Sequence, residues 1–215
     1  MQIGCSDGTR KGEFSEGHIE YNITYIDNHP PKYDTNLRPN KMVVKFKDNN
    51  TINKIEGLSG ALSFAFIQDI ESKSTHTMIK LLNKNLLFFE PIYDDRYPFA
   101  YDDMPEFTIS RTNDTIEVQG FKCRRAIATY NDSLLSPFEI LYTKDIAVAN
   151  PNYNTPFDSI DGVMLKFSVT LFNQNMQVEA NSVKATKVSD DEFTIPADFE
   201  KINEETLKDV IELFQ

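Results

Sequence analysis

Strict two-residue alternation of apolar and polar side chains, met again and again along this chain, limits its fold more than any other feature. Ile19, Tyr21, Ile23 and Tyr25 alternate with His18, Glu20, Asn22 and Thr24. Met42, Val44 and Phe46 alternate with Val43, Lys45 and Lys47, and the run Val163, Leu165, Phe167, Val169 and Leu171 alternates with Met164, Lys166, Ser168 and Thr170. A period of two puts one set of side chains on a dry face and the other on a wet one, the signature of a half-buried β-strand. Turn-forming clusters punctuate these runs: Asp48-Asn49-Asn50, Thr112-Asn113-Asp114 and Asn173-Gln174-Asn175. Strands joined by such short turns imply an antiparallel meander.

The pattern predicts seven to ten strands in a mainly β (α+β) fold: a single curved antiparallel sheet, or an open half-barrel, packed on one or two helices. Only the C-terminus reads as a convincing helix. Asn203 is placed to cap it, Glu204 and Glu205 suit its positive end, and Leu207, Val210, Ile211 and Phe214 share one face. Around Met78, Ile79, Leu81 and Leu82 a helical turn and a strand read equally well. Phe107 to Ile109 and Ile116 to Val118 read as strands on either side of the Thr112–Asp114 turn. At Gly120 the alternation changes phase, making Phe121, Cys123 and Ile127 the inward set, as a β-bulge would. Residues 90–106, with Pro91, Pro98, Pro105 and the doublets Asp94-Asp95 and Asp102-Asp103, read as a loop that tyrosines fold back onto the surface.

At 215 residues the chain is long enough to bury a core without disulfides or metals. Its net charge of −11 lies entirely in residues 91–215, which hold 11 basic and 22 acidic residues; residues 1–90 hold 11 of each. Such a surface repels a phosphate backbone, so nucleic acid is not an expected partner.

Catalytic and metal motifs are not in evidence. Gly57-Leu58-Ser59-Gly60-Ala61 approximates a nucleophile elbow but ends in Ala61 and lacks the strand-then-helix setting, so it reads as a glycine-rich loop. His18, His29 and His76 show no metal-ligand spacing. Asp94, Asp95, Asp102 and Asp103 lack the spacing of a calcium loop and read as a solvated acidic turn. Cys123 lies on an inward strand phase and reads as a core thiol. The expectation is a protein that is not an enzyme, with no cofactor, no metal and no catalytic residues.

Cys5 is different. It follows the small residue Gly4 and precedes a polar stretch, Ser6 to Gly17, as at the junction where bacterial lipoproteins are cut and acylated. Cys5 is therefore the expected lipidation site, residues 1–17 a flexible tether and residues 18–215 one β-rich domain. A lipid on Cys5 would preclude a Cys5–Cys123 disulfide.

Four further stretches carry a family resemblance. Gly120-Phe121-Lys122-Cys123-Arg124-Arg125-Ala126 resembles the I-x-G-[YF]-x-C-x-K-A signature of GLPGLI-type proteins and related envelope domains. Leu141 to Ile146 resembles their W-Y-T-x-x-I strand, Ile160 to Leu165 falls where they carry the G-L-P-G-L-I string, and Phe193 to Phe199 resembles their closing segment. The resemblance implies a secreted, lipidated protein of the Gram-negative cell envelope, in the periplasm or at the outer membrane. It implies a half-barrel like that of the lipoprotein carriers, and supplies no activity. Two functions follow as expectations: binding of a lipid or other apolar ligand in the concave face, membrane-anchored through Cys5, or an envelope interaction or structural module with a filled core and an unnamed protein partner. The interior volume separates them: an apolar cavity of a few hundred Å³ favours the carrier, and a closed core favours the interaction module.

Overall fold

The computed structural model describes residues 14–26, 38–57, 60–69 and 73–212. Cys5, His29, Ser59 and Phe214, and most of the expected tether, lie outside the described residues. The strands are β1 (Glu16–Tyr25), β2 (Lys41–Lys47), β3 (Asn50–Gly57), β4 (Leu62–Asp69), β5 (Ser74–Leu81) and β6 (Lys84–Pro91). They continue with β7 (Phe107–Val118), β8 (Phe121–Tyr130), β9 (Phe138–Thr143), β10 (Val163–Leu171), β11 (Gln174–Ala185) and β12 (Glu200–Ile202). One α-helix, α1 (Glu204–Glu212), follows.

All twelve strands form one open, curved sheet in the order β12-β6-β5-β4-β3-β2-β1-β11-β10-β9-β8-β7. Every pairing is antiparallel except the three-residue parallel contact of β12 with β6. The sheet is thus two meanders, β1–β6 and β7–β11, joined where β1 pairs with β11 along Gly17–Tyr25 and Met176–Ala185. That seam needs Gly17, because a Cβ there would stand 2.4 Å from the Lys184 carbonyl oxygen. The fold also begins ahead of residue 18. Phe14 bridges to Ile146 and packs its ring on Phe46 and Phe121, so residues 14–17 belong to the domain and not to a tether.

The mainly β, antiparallel reading holds, but a half-barrel packed on helices does not describe the molecule. The single described helix covers only one end of the sheet. Leu207, Val210 and Ile211 pack on Leu62, Phe64, Ile79, Leu86 and Phe88 of β4–β6. Asn203 caps the helix, its Oδ1 accepting from the Thr206 N–H at 2.9 Å. The opposite face of the same strands is also buried, beneath Phe193, Ile195 and Phe199. This explains why residues 78–82 read ambiguously: Ile79 faces α1 and Met78 faces the 193–199 segment, so both phases of β5 are apolar. No helix forms there.

Residues 107–130 differ from the expectation in a specific way. The turn sits at Gln119-Gly120, both with positive φ (50° and 74°), between the paired Val118 and Phe121. The irregularity lies instead between Arg111 and Thr115, so Thr112–Asp114 bulge out of β7 and no bulge exists at Gly120. A two-residue hairpin with φ > 0 at both central positions matches strand twist, and glycine accepts that geometry without cost. Phe121 and Cys123 are buried as expected, but Ala126 and Ala128 join them rather than Ile127.

Candidate functional site

Among the concave features of the described residues, two depend on the same two loops. The order of strands sends the chain from β6, beside one edge, to β7 at the other edge. Residues 92–106 make that crossing. Ala100 accepts the Phe172 N–H at 3.1 Å, and the Met104 sulfur accepts the Thr170 N–H at 3.0 Å, which seats the crossing on the end of β10 and β11. The second loop, residues 144–162, is locked by Asn152, whose buried amide donates to the carbonyls of Ile160 (2.7 Å) and Gly162 (3.0 Å).

Beneath these loops the inner face forms a partly open cavity of about 130 Å³. Inward positions of β1 to β4, β10 and β11 line it, among them Met42, Val44, Phe66, Phe167, Val169 and Met176. Its polar lining is neutral: Thr51, Asn53, Gln68, Thr75, Asn152 and Thr155 stand in the wall, and among the described residues no charged side chain lines it. Tyr21 also lines it and donates to the Met164 carbonyl at 2.9 Å, and burial drives the phenol well above its ordinary pKa. A space of this size matches cavities that take up benzene, and lies below the several hundred Å³ usual for larger organic ligands. The aromatic rings of Phe157, Phe107, Phe138 and Phe167 fill the neighbouring interior, with centroids 5.3 to 6.4 Å apart.

The second feature is an open cleft of about 720 Å³ between the two loops. Tyr93, Tyr97, Tyr101 and Tyr153 line it together with Asp94, Asp95, Asp102, Glu106 and Asp158; Arg96 is its one cation among the described residues. The Arg96 guanidinium lies over the Tyr93 ring, 4.2 Å from its centroid. Burial raises the Asp102 pKa, Arg96 opposes that rise, and Asp103 and Glu204 add to it. The acidic doublets noted in the sequence therefore do not all converge: Asp94, Asp95 and Asp102 face the cleft, and Asp103 does not line it.

The other singled-out residues stay apart. His18 lies 3.9 Å from Glu20, and the His76 ring packs against Phe89 on another strand pair. His76 Nε2 stands 3.1 Å from Ser74 Oγ, a pairing the sequence reading did not anticipate, but Ser74 has no exposed surface and cannot meet a substrate. Cys123 is a free, buried thiol, its pKa pushed up to about 11 by burial. Among the described residues, no three His, Cys, Asp or Glu side chains converge as metal ligands would. Asn152, Tyr153, Asn154 and Asp158 escaped the sequence reading because only the fold brings residues 150–158 against 92–106.

No protein-family model and no curated protein matches the sequence. The fold is similar to two solved structures of PNGF-II, in space groups C2 and P21, with TM-scores of 0.54 and 0.56 and 16% identity. Each likeness covers 93% of this chain and 33% of the PNGF-II chain, so this chain spans about a third of the length of those proteins. At that identity the likeness establishes a shared fold.

Proposed function

We propose that this chain is a non-catalytic binding module that holds a small apolar group in the cavity beneath its curved sheet. The observation that carries the reading is the cavity itself: set in the largest core cluster, apolar in most of its lining and without a charged side chain among the described residues. Apolar cavities of this volume stay dry and accept ring-sized hydrocarbons, because the ligand restores the dispersion contacts the lining lacks. About 130 Å³ suits an aromatic ring or a short branched alkyl group and is too small for a whole acyl chain. The sequence adds a location to the proposal: export to the cell envelope and lipid anchoring through Cys5, in line with the GLPGLI-type resemblance.

A ligand that binds only the folded state stabilises it by RT ln(1 + [L]/Kd), so Tm keeps rising with free ligand concentration. Benzene and indole are expected to raise Tm with the logarithm of their concentration above Kd, and decanoate is not. Absence of a shift with any apolar probe would overturn the binding reading, and a larger shift with decanoate would overturn the size limit.

A second reading, an interaction module with a filled interior, draws on the β8–β9 loop. Leu134 is 89% exposed there and Leu135 stands beside it, also exposed. Side chains this apolar at a loop tip suit contact with another surface. On this reading benzene leaves Tm unmoved, and replacing both leucines by serine abolishes partner contact.

A further inference from the structure

We propose that the ligand of the cavity beneath the sheet is a neutral aromatic molecule bearing a hydroxyl group, held by Asn53 and Thr51 of β3. This rests on the binding reading above and names the chemical class that the cavity takes. The pattern of the inner face is the first argument. Thr51, Asn53 and Ile55 are the inward positions of β3 that line the cavity, while Ile52 lies on the other side of the sheet, in the cluster that Phe193 and Ile195 cover. On the neighbouring β2 the inward positions Met42, Val44 and Phe46 are all apolar. Asparagine is depleted in strands, and on a dry face it costs free energy unless it finds a partner.

The second argument is how the polar wall is committed. Gln68 donates from Nε2 to the Tyr153 carbonyl at 2.7 Å, Thr155 donates its hydroxyl to the Asn152 carbonyl at 2.7 Å, and the Asn152 amide is spent on Ile160 and Gly162. These three side chains hold the 144–162 loop. Asn53 and Thr51 make no side-chain hydrogen bond among the described residues, and both are half-buried, so their polar atoms are open to the cavity. Asn53 stands directly opposite Val44 on β2 and Phe66 on β4, both apolar members of the same lining. Such cross-strand neighbours lie about 5 Å apart at Cβ, so a ring resting on Val44 and Phe66 carries its substituent to Asn53.

The third argument is the kind of substituent these two residues suit. An asparagine amide and a threonine hydroxyl each offer both a donor and an acceptor, and so does the hydroxyl of a ligand. A carboxylate or an ammonium group would leave water without a counterion, because no charged side chain among the described residues lines the cavity. About 130 Å³ limits the rest of the molecule to a single ring. The consequence has a definite sign. A wholly apolar cavity binds phenol less well than benzene, since the hydroxyl gives up its bonds to water for nothing; a wall carrying Asn53 and Thr51 reverses that order.

The test titrates the full chain carrying ¹³C-methyl methionine with benzene, phenol, benzoate and benzylammonium. Kd is read at the methyl of Met42, which lines the cavity, with Met78 on the opposite side of the sheet as control. Phenol is expected to bind several-fold more tightly than benzene, and neither ion is expected to saturate the site. Asn53→Leu and Thr51→Val keep side-chain size and remove the hydrogen-bonding groups. Each alone is expected to lower the preference for phenol, and the double variant to reverse it; the single variants keep the test intact if the double variant does not fold. Benzene bound as tightly as phenol by the parent protein would overturn this inference and leave the binding reading standing. No shift at Met42 with any of the four would overturn both. A preference for phenol kept in full by the variants would overturn the assignment to Asn53 and Thr51. Benzoate or benzylammonium binding as tightly as phenol would overturn the requirement for a neutral ligand.

Discussion

The hydroxyl of Tyr21 on β1 donates to the main-chain carbonyl of Met164 on β10 at 2.9 Å, bridging 143 positions of sequence across the intervening β11. Met164 stands where the β10–β9 register slips, between the pairs Met164–Tyr142 and Lys166–Leu141. A bulge disrupts the regular ladder, and the phenol gives this carbonyl a buried donor. The same tyrosine ring lines the cavity, so one side chain joins the two meanders and shapes the proposed site.

Tyr21→Phe leaves the Met164 carbonyl without that donor in a buried setting. The expected loss of stability is about 1–3 kcal/mol in urea unfolding, with an unchanged m-value. A loss indistinguishable from zero would mean that water or another group satisfies the carbonyl.

The seam between the meanders makes its own prediction. A Cβ on Gly17 would press on the Lys184 backbone at 2.4 Å, and backbone cannot rotate away. Gly17→Ala should destabilise by about 1–3 kcal/mol, read by the same unfolding curve. A neutral effect would show that β1 and β11 can separate at that point.

Glu90 gives a pH dependence. Its side chain is 8% exposed and accepts from the Phe99 N–H at 3.0 Å. Burial raises its pKa; the Phe99 hydrogen bond and Arg96 oppose the rise, and Asp102 and Glu204 add to it. The folded state therefore holds the proton more tightly than the unfolded chain does. Stability falls as pH rises from the ordinary glutamate range through the raised folded value. Glu90→Gln keeps an acceptor for Phe99 and removes the buried charge. Thermal unfolding should find the variant and the parent alike near pH 4 and the variant more stable near pH 8. A variant less stable at the higher pH would show that the ionised carboxylate is a net stabiliser.

Cys123 is expected to resist thiol reagents in the native protein. Its Sγ is buried, donates weakly to the Phe121 carbonyl at 3.6 Å, and has a pKa near 11. The thiolate is the reactive form, so modification should await unfolding. Mass mapping of the Cys123 peptide after iodoacetamide, with and without guanidinium, reads this directly. Fast native alkylation would place the residue on an accessible face.

Local pattern made much of this fold legible, and its failures have identifiable causes. Strands with one wet face, such as β1 and β2, showed clean alternation and were readable from residues 18–25 and 42–47. In β5 and β6 both faces are covered, so Met78 and Ile79, or Leu87 and Phe88, gave no phase. The hairpin at Gln119-Gly120 was misplaced because Thr112-Asn113-Asp114 carries stronger turn chemistry, which the bulge of β7 absorbs instead. Nothing local announces that β1 will pair with β11, since that contact depends on the whole sheet. The cleft was half legible: the tyrosine–aspartate doublets stood out, while Asn154 and Asp158, about fifty residues downstream, lacked any mark of their role.

The account rests on the cavity beneath the sheet, and methionine methyls read that cavity most directly. Met42, Met164 and Met176 line it, whereas Met78 packs on the opposite side of the sheet and Met104 faces the cleft. With ¹³C-methyl methionine protein and benzene added to saturation, the account predicts shifts at Met42, Met164 and Met176, with Met78 and Met104 unmoved. Unmoved signals at all three cavity methionines, or equal shifts at Met78, would contradict it.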